Sequence, residues 1–236
     1  MSNPVFLHAG LAGDRLLLDG PEGRHAATVR RLRLGEAVDL VDGVGTRCTC
    51  QVVGVTRDTV TLDVLARSLE PCPAPRITLV QALPKGDRGE LAVELATEVG
   101  VDEVVPWSAS RCVQQWQGER GAKALARWRS TAREAAKQSR RAWFPLVHEV
   151  ADLRGVCALP GQLLVLHEAG EQPLSTAVPD GDVVLVVGPE GGIAPAELDA
   201  LRVAGAAIVR LGATVLRTST AGAAAAAVVS ARNGRW

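Results

Sequence analysis

Two glycine-containing segments in the second half of the chain have the composition of ligand-binding loops. In the first, the apolar run Asp182–Gly188 is followed by a turn with Gly191 and Gly192, and Pro195 and Glu197 are typical of the start of a helix. Glycines at the carboxyl end of a strand let backbone groups approach a ligand closely. The segment is neither a P-loop nor a GxGxxG motif, so the pattern names no ligand and a simple tight turn remains the alternative.

The second segment follows a predicted strand that ends at Leu211 and Gly212. A short loop leads to Leu216 and Arg217, and a Thr/Ser cluster then caps a helix made almost entirely of alanine. Such a helix can pack with its backbone close to another element or another subunit. A plainly buried helix is the alternative.

The elements that position these loops fall into two regions. Up to about residue 70 the chain contains short β-rich runs bounded by Gly or Asp turns, which predicts a small β-barrel. Three prolines between Pro71 and Pro75 disfavour both a helix and a central strand, so we place a domain boundary there, between residues 1–70 and 75–236. The four runs are Asp14–Gly20, Glu36–Gly43, Arg47–Thr56 and Thr59–Ala66.

Beyond the prolines, predicted strands alternate with predicted helices. Helices are expected over Gly89–Val99, where Leu91, Leu95 and Val99 share one face, and over about Gly121–Arg141. This alternation predicts an α/β domain with a mostly parallel sheet covered on both faces. The predicted strands are Arg76–Leu83, Asp102–Trp107, Gln162–Glu168, Asp182–Gly188 and Ala206–Gly212.

The charge balance hides strong local differences. The 26 basic residues equal the 26 acidic ones, which taken globally excludes a strongly basic nucleic-acid binder. Locally, Pro106–Pro145 contains nine basic and two acidic residues, and His148–Asp199 contains nine acids and one arginine. Trp116, Trp128 and Trp143 lie in the basic stretch, which suits base stacking as well as phosphate contact, with tryptophans buried in the core as the alternative.

Cysteine usage and hydropathy exclude other classes of protein. The five cysteines are scattered and include no C-x-x-C pair, so buried free thiols are expected rather than disulfides or a metal site, with Cys48 and Cys50 on one face of a strand. The chain shows neither a signal peptide nor an apolar run near the roughly 18 residues of a membrane span. We therefore expect a cytoplasmic protein with no membrane partner.

Several motifs together carry a family resemblance. "GPEGG" followed by "LGATVLRTSTA" resembles the RsmE family of 16S ribosomal RNA uridine-N3 methyltransferases, in the SPOUT (trefoil-knotted) superfamily. The blocks Arg24–Gly43, Gln81–Val113 and Arg127–Pro145 resemble further family motifs in the same order, so the match covers nearly the whole chain. One departure is Ser219, which stands where many members have Glu, and any role of that Glu cannot be carried over.

The resemblance implies a fold and a cofactor. It implies a SPOUT α/β trefoil-knot domain with a smaller N-terminal PUA-like β-barrel, a homodimer, and S-adenosylmethionine (SAM) as cofactor without a metal. The alanine-rich helix would thread the knot and help form the dimer. The matching cofactor positions are Leu166, His167 and Glu168 in one loop, Gly188, Pro189, Glu190, Gly191, Gly192 and Ile193 in the next, and Leu211, Gly212, Val215, Leu216, Arg217 and Thr218 in the last.

The implied reaction is methyl transfer to N3 of a uridine in 16S rRNA or the 30S subunit. Because N3 carries a proton, the site must remove that proton or stabilise the anion. Arg217 is the candidate for stabilising the anion or binding phosphate, and Glu190 and His167 are candidate proton acceptors. The alternatives are that Arg217 forms an ion pair at a helix end or interface and that Glu190 only organises the glycine turn.

The RNA must present this uridine unpaired or flipped, because pairing blocks N3. The basic segment and the barrel arginines are expected to face RNA, with the acidic segment facing away or lining the site of a cationic cofactor. Other functions left open are methylation of another RNA site, a non-catalytic ribosome assembly factor, and a metabolic α/β enzyme. The candidate RNA-binding residues are Arg24, His25, Arg30, Arg31, Arg33, Lys85, Arg111, Arg140 and Arg141.

Overall fold

The structure, a computed structural model, describes residues 3–236. These residues form two compact units, one of residues 3–72 with Ala136–Phe144 and the other of Pro73–Ala135 with Pro145–Trp236. Ala136–Phe144 thus belongs to the first unit although it lies far along the chain, which the sequence did not predict.

The first unit is built on a five-stranded sheet. Its strands correspond to the four predicted runs, together with a short first strand that was not predicted. The first strand pairs with its neighbour in parallel, and the other pairs are antiparallel. Helix α1 (Gly20–Arg24) and a π-helical turn (His25–Val29) follow the second strand. In spatial order the strands are β1 (Val5–Leu7), β3 (Ala37–Val41), β4 (Thr46–Val55), β5 (Val60–Leu69) and β2 (Arg15–Leu18).

This sheet is curled around one apolar core. Phe6 and Leu18 come from the two edge strands, β1 and β2, yet both are buried in the same cluster as Leu40 of β3. Two irregularities in the pairing of β4 with β5 help to bend the sheet, as β-bulges do. Cys48 and Cys50 are fully buried on the inner face of β4, as predicted.

Polar contacts connect Ala136–Phe144 to the rest of the first unit. Lys137 Nζ lies 2.7 Å from Glu22 Oε1, and the lysine side chain is only 7% exposed. Arg47 forms an ion pair with Glu70 and also donates to the backbone carbonyl of Arg140. A largely buried lysine needs such a partner, because an isolated charge away from water is costly.

The second unit is an α/β domain with a seven-stranded sheet. Every strand pair is parallel. The strands β6 (Ile77–Ala82) and β11 (Val183–Val187) are buried along their whole length, as the apolar runs predicted. The strand order is β10 (Gln172–Pro173), β12 (Ala207–Arg210), β9 (Gln162–Leu166), β11 (Val183–Val187), β6 (Ile77–Ala82), β7 (Glu103–Trp107) and β8 (Leu146–Val147).

The predicted helices are present with shifted ends, but the expected face of α2 (Arg88–Glu98) is wrong. Ala92, Val93 and Ala96 are buried, whereas Leu91 is exposed, because α2 packs its small residues against its neighbours. The long helix α3 ends three residues earlier than expected, because Arg140 adopts a left-handed conformation (φ 57°) and the Arg141 amide bonds back to the Ala136 carbonyl. The helices of the chain after α1 are α2 (Arg88–Glu98), α3 (Gly118–Gln138), α4 (Leu153–Cys157), α5 (Leu174–Ala177), α6 (Pro195–Val203) and α7 (Thr218–Arg232).

Helix α7 needs its small residues. It packs against α2, β6 and β11, and a Cβ atom added to Gly222 would lie 2.8 Å from Leu79 Cδ1. The chain leaves β12, which lies beyond β9, and returns so that Thr218 contacts Gly188 at the end of β11. This crossing places the start of α7 among strands formed earlier in the sequence. Within residues 3–236, no helix is long and apolar enough to cross a membrane.

Candidate active site at the carboxyl ends of the parallel strands

The loops that follow β9, β11 and β12 meet at one edge of the sheet. They line two overlapping cavities of about 150 and 610 Å³. The smaller is lined only by the loops after β9 and β12 and by Ala221, whereas the larger extends over the loop after β11 and reaches Arg88 and Arg111. Every residue predicted to bind the cofactor lines one of the two cavities. The structure therefore brings together residues that are widely separated in the sequence, although their role stays a prediction.

The loop after β11 is tightly folded. The Gly192 amide bonds to the Pro189 carbonyl at 2.8 Å, and Gly192 has a φ of +72°, a conformation that side chains disfavour. At Gly188 an added Cβ would lie 2.7 Å from Ile193 Cγ1. The glycines are thus required by the turn itself, and they leave backbone groups of the loop accessible from the cavity.

A chain of hydrogen bonds links three elements beneath the cavity. The Gln81 amide nitrogen, on β6, donates to Thr218 Oγ1 at 3.0 Å, and the Thr218 hydroxyl donates to the Gly188 carbonyl at 2.9 Å. Gln81 is completely buried and Thr218 nearly so. The contact fixes the start of α7 against the glycine loop. Sequence analysis missed Gln81, and a glutamine inside an apolar strand was the available signal.

Glu197 was read from the sequence only as an early acid of α6, but its buried carboxylate connects two loops. One oxygen accepts from the Ser110 amide at 2.7 Å and the other from the Ala194 amide at 3.0 Å. The loop after β7 is thereby attached to the start of α6. The same loop makes a second contact, because Arg111 Nη1 donates to the Gly191 carbonyl at 3.1 Å.

The two candidate proton acceptors differ in their surroundings. Glu190 is exposed and accepts the Lys85 amide through Oε1 at 3.1 Å, so it does organise the loops, but Oε2 has no partner among residues 3–236. His167 Nδ1 accepts the Ala169 amide at 3.1 Å. A neutral His167 therefore carries its proton on Nε2, and neither ring nitrogen is free to accept another. This geometry disfavours His167 as a proton acceptor.

Arg217 lies at the N-terminus of α7 and lines the larger cavity. Its backbone carbonyl accepts from the Thr220 and Ala221 amides. Within the described part of the chain its guanidinium has no hydrogen-bond or ion-pair partner, so the alternative of a helix-end ion pair inside the subunit is not what the structure shows. The side chain is free to contact a ligand in the cavity.

The candidate RNA-binding residues of the first unit are surface residues in varied settings. Arg30, Arg31 and Arg33 are exposed, Arg31 with a φ of 54°. Arg24 lies 3.5 Å from Asp58. The His25 ring packs edge-on against Phe6, with ring centroids 5.8 Å apart.

The two arginines from Ala136–Phe144 are held by backbone contacts: Arg141 Nε donates to the Trp143 carbonyl, and the Arg140 carbonyl accepts from Arg47. In the second unit, Lys85 is exposed next to the glycine loop and Arg111 lines the larger cavity.

In the basic segment the structure favours the core alternative for one tryptophan and pairs two of the arginines with acids. Trp128 is fully buried and packs edge-to-face against Trp116, so it is a core residue and cannot stack on a base. Arg127 and Arg129 form ion pairs with Glu90 and Glu149. These two charges are offset by acids of the same unit, and the expectation that the segment faces RNA stays a prediction.

Of the five cysteines, three are buried, Cys157 is half-buried and Cys72 is exposed. Burial raises the pKa of Cys50 to about 12 and also raises the pKa of Cys112 and of Cys157. Cys72 is exposed, so the expectation of buried thiols is wrong there, because it follows the strand end in the proline-rich segment. Among the described residues no cluster of His, Cys, Asp or Glu could hold a metal ion.

The fold is that of an RNA methyltransferase. Residues 70–230 match the family model described as an RNA methyltransferase domain, and residues 18–65 match the RNA methyltransferase PUA domain. The ribosomal RNA small subunit methyltransferase E of Mycobacterium tuberculosis is 49% identical over 93% of this chain and 87% of its own length. The Bacillus subtilis protein of that name is 29% identical over 86% and 85%. The chain belongs to the ribosomal RNA small subunit methyltransferase E family.

Solved structures agree with this assignment. A Legionella pneumophila methyltransferase in complex with SAM has a TM-score of 0.88 at 28% identity, covering 98% of both chains. A ribosomal RNA small subunit methyltransferase E from Neisseria gonorrhoeae bound to SAM has a TM-score of 0.87, also at 28% identity and 98% coverage of both. The family resemblance and the predicted fold, a SPOUT α/β domain with a PUA-like β-domain, are confirmed.

Proposed function

We propose that this protein transfers a methyl group from SAM to N3 of a uridine in 16S rRNA of the small ribosomal subunit. The observation that carries the proposal is the convergence of the loops after β9, β11 and β12 on shared cavities. The names of the relatives support the rRNA substrate, and the SAM-bound relatives support the cofactor.

The residues around the cavities fit SAM. Leu166, Leu211 and Ile193 offer apolar contacts, and the glycine loop offers backbone groups at close range. Glu168 and Glu190 line the larger cavity, and their carboxylates would attract a cationic sulfonium. When bound, SAM supplies an electrophilic methyl group, so no metal is required.

This chain's own residues would position the uridine and handle its proton. Arg217, free at the cavity wall, is the candidate to stabilise negative charge at O2 or O4 as N3 loses its proton. Glu190 Oε2 is the candidate proton acceptor. Ser219 is buried at the start of α7 and has no carboxylate to offer, so the role of the relatives' Glu at this position does not transfer.

The RNA would be held mainly through its phosphates. Exposed Arg30 and Arg33, with Arg24, His25 and Arg31 close by in the sequence, make the first unit the proposed docking domain. Arg140 and Arg141 of the same unit, and Lys85 and Arg111 near the cavity, complete the proposed RNA-binding set. The domain limits 1–70 and 75–236, homodimerisation, action on the 30S subunit and a cytoplasmic location belong to the same proposal.

The decisive experiment is mass spectrometry of 16S rRNA from a deletion strain. Loss of one N3-methyluridine, restored by the wild-type gene, is the expected result. Unchanged 16S rRNA modification together with a ribosome assembly defect would favour a non-catalytic assembly factor. Loss of a methyl group from another RNA would favour a different substrate.

A further inference from the structure

The larger cavity has a wall that the proposed cofactor loops do not form. Arg88, the first residue of α2, and Arg111, in the loop after β7, line only this cavity. In the sheet, β6 and β7 lie on one side of β11, while β9 and β12 lie on the other. The two arginines therefore face the site from the side opposite the loops after β9 and β12.

Arg88 is half-buried and has no hydrogen-bond or ion-pair partner in the part of the chain that the structure describes. Several other arginines of the unit are paired, among them Arg127 with Glu90, Arg76 with Glu103 and Arg235 with Asp102. A guanidinium has five N–H donors, and at Arg88 none of them is bonded to a described residue. Its placement in a cavity wall points to an anionic ligand that completes its hydrogen bonds.

Arg111 is held beside the glycine loop by a contact of its side chain and by a contact of its neighbour Ser110. Its Nη1 donates to the Gly191 carbonyl, and its neighbour Ser110 is held by the buried carboxylate of Glu197. A guanidinium has five N–H donors, so most of them remain available after the bond to Gly191. The side chain is already ordered before any ligand arrives, which lowers the cost of binding.

The lining of the larger cavity contains more arginines than carboxylates. Its lining contains the cations Arg88, Arg111 and Arg217 and the anions Glu168 and Glu190. Glu168 follows β9 and lies on the opposite side of the cavity from Arg88. Glu190 lies nearer to Arg88, because its carboxylate accepts the Lys85 amide. The planar guanidinium matches the oxygens of a phosphate in two parallel hydrogen bonds.

We propose that Arg88 and Arg111 form a subsite for a backbone phosphate of the RNA next to the nucleotide that is methylated, an inference that rests on the proposed function. A base presented unpaired must be held by its flanking backbone, because its pairing and stacking are lost. The competing anion is the carboxylate of SAM. The proposed cofactor loops line the larger cavity together with the two arginines, so the SAM affinity of the variants distinguishes the two anions.

The test uses the full-length protein with four variants, Arg88→Ala, Arg88→Lys, Arg111→Ala and Arg111→Lys. Arg154→Ala is the matched control, since Arg154 is an exposed arginine of the same unit, outside both cavities and without a partner among residues 3–236. KM for the rRNA substrate is measured at several salt concentrations, and SAM affinity is measured by calorimetry. Thermal unfolding checks that each variant is folded.

We expect each alanine variant to raise KM for RNA about fivefold or more. The plot of log KM for RNA against log salt concentration should become shallower by about 0.7 to 0.9, the value of one phosphate contact. The lysine variants should keep the salt slope but lose part of the affinity, and SAM affinity should stay within about twofold. A large loss of SAM affinity with unchanged KM for RNA would assign the arginines to the cofactor and overturn the proposal.

If KM for RNA and its salt dependence in the four variants equal those of the Arg154→Ala control, the proposal is also overturned. Failure of the subsite is distinct from failure of the proposed function. If the wild-type protein methylates 16S rRNA and the variants match the control, only the subsite is wrong. If the wild type transfers no methyl group to 16S rRNA, both are wrong.

Discussion

The side chain of Gln81 donates a 3.0 Å hydrogen bond to the hydroxyl of Thr218, a residue 137 positions further along the chain. The Thr218 hydroxyl in turn donates a hydrogen bond to the Gly188 carbonyl. The first strand of the parallel sheet, the glycine loop and the last helix are thus held together by two side chains beneath the cavity. We expect the position of the glycine loop relative to α7 to depend on this contact.

Thr218→Val should separate this positioning role from simple packing. Valine keeps the shape of threonine but cannot bond to Gln81 or Gly188, and it leaves buried polar groups unpaired at a cost of about 1 to 3 kcal/mol. We expect a loss of that order in the free energy of unfolding, measured with urea, and a weaker affinity for SAM, measured by calorimetry. Thr218→Ser, which keeps the hydroxyl, should largely restore SAM affinity. Equal SAM affinity in the valine variant would contradict the role.

Glu197→Gln tests the attachment of the Arg111 loop. The two carboxylate oxygens accept the Ser110 and Ala194 amides, and a glutamine can serve only one of them while its NH2 group faces the other donor. We expect a stability loss of about 1 to 3 kcal/mol and a higher KM for RNA. Asp199→Asn, on the exposed surface of the same helix, is the control and should change neither quantity. If both variants behave alike, Glu197 does not hold the loop.

Gly188→Ala should disturb the glycine turn directly. The added methyl group would lie 2.7 Å from Ile193 Cγ1, so the loop or the isoleucine must move. We expect SAM affinity to fall at least tenfold and stability to fall by about 1 to 3 kcal/mol, as for overpacked sites. Gly181→Ala meets no atom within 4 Å and serves as the control. Unaltered SAM binding in Gly188→Ala would show that the turn does not shape the cofactor site.

Arg217→Ala should lower turnover without weakening cofactor binding. If the guanidinium stabilises charge on the uridine, its loss costs roughly 10²- to 10³-fold in kcat, the scale for one preorganised donor. Calorimetry should give nearly the same SAM affinity as the wild type. Arg232→Ala, at the opposite end of α7, is the control. Unchanged kcat would remove Arg217 from the chemical step.

The raised pKa of the Cys50 thiol predicts that the free energy of unfolding depends on pH. Burial, with the nearby Cys48 and Asp39, raises the pKa of Cys50 from 9.0 to about 12 in the folded protein. Between those values the unfolded chain loses the proton first, so the free energy of unfolding falls as pH rises, by at most about 1.4 kcal/mol per pH unit. Urea unfolding at pH 8 and pH 10 should show a smaller decrease for Cys50→Ala. An equal decrease in both proteins would refute the assignment.

The sequence by itself determined the elements and the loops. The runs Ile77–Ala82 and Val183–Val187 predict buried strands, and the glycines between Gly188 and Gly192 predict a turn, because these properties depend on neighbouring residues. The family motifs added the cofactor loops and the reaction class.

Only the tertiary structure decided which distant side chains meet. The bonds of Gln81 to Thr218 and of Glu197 to Ser110, and the placing of Arg88 in the cavity wall, depend on the strand order and on the path of the chain after β12. Local periodicity carries no information about either. Burial likewise decided that Trp128 is a core residue and that Arg127 is neutralised by Glu90, since both results come from packing between helices far apart in the sequence.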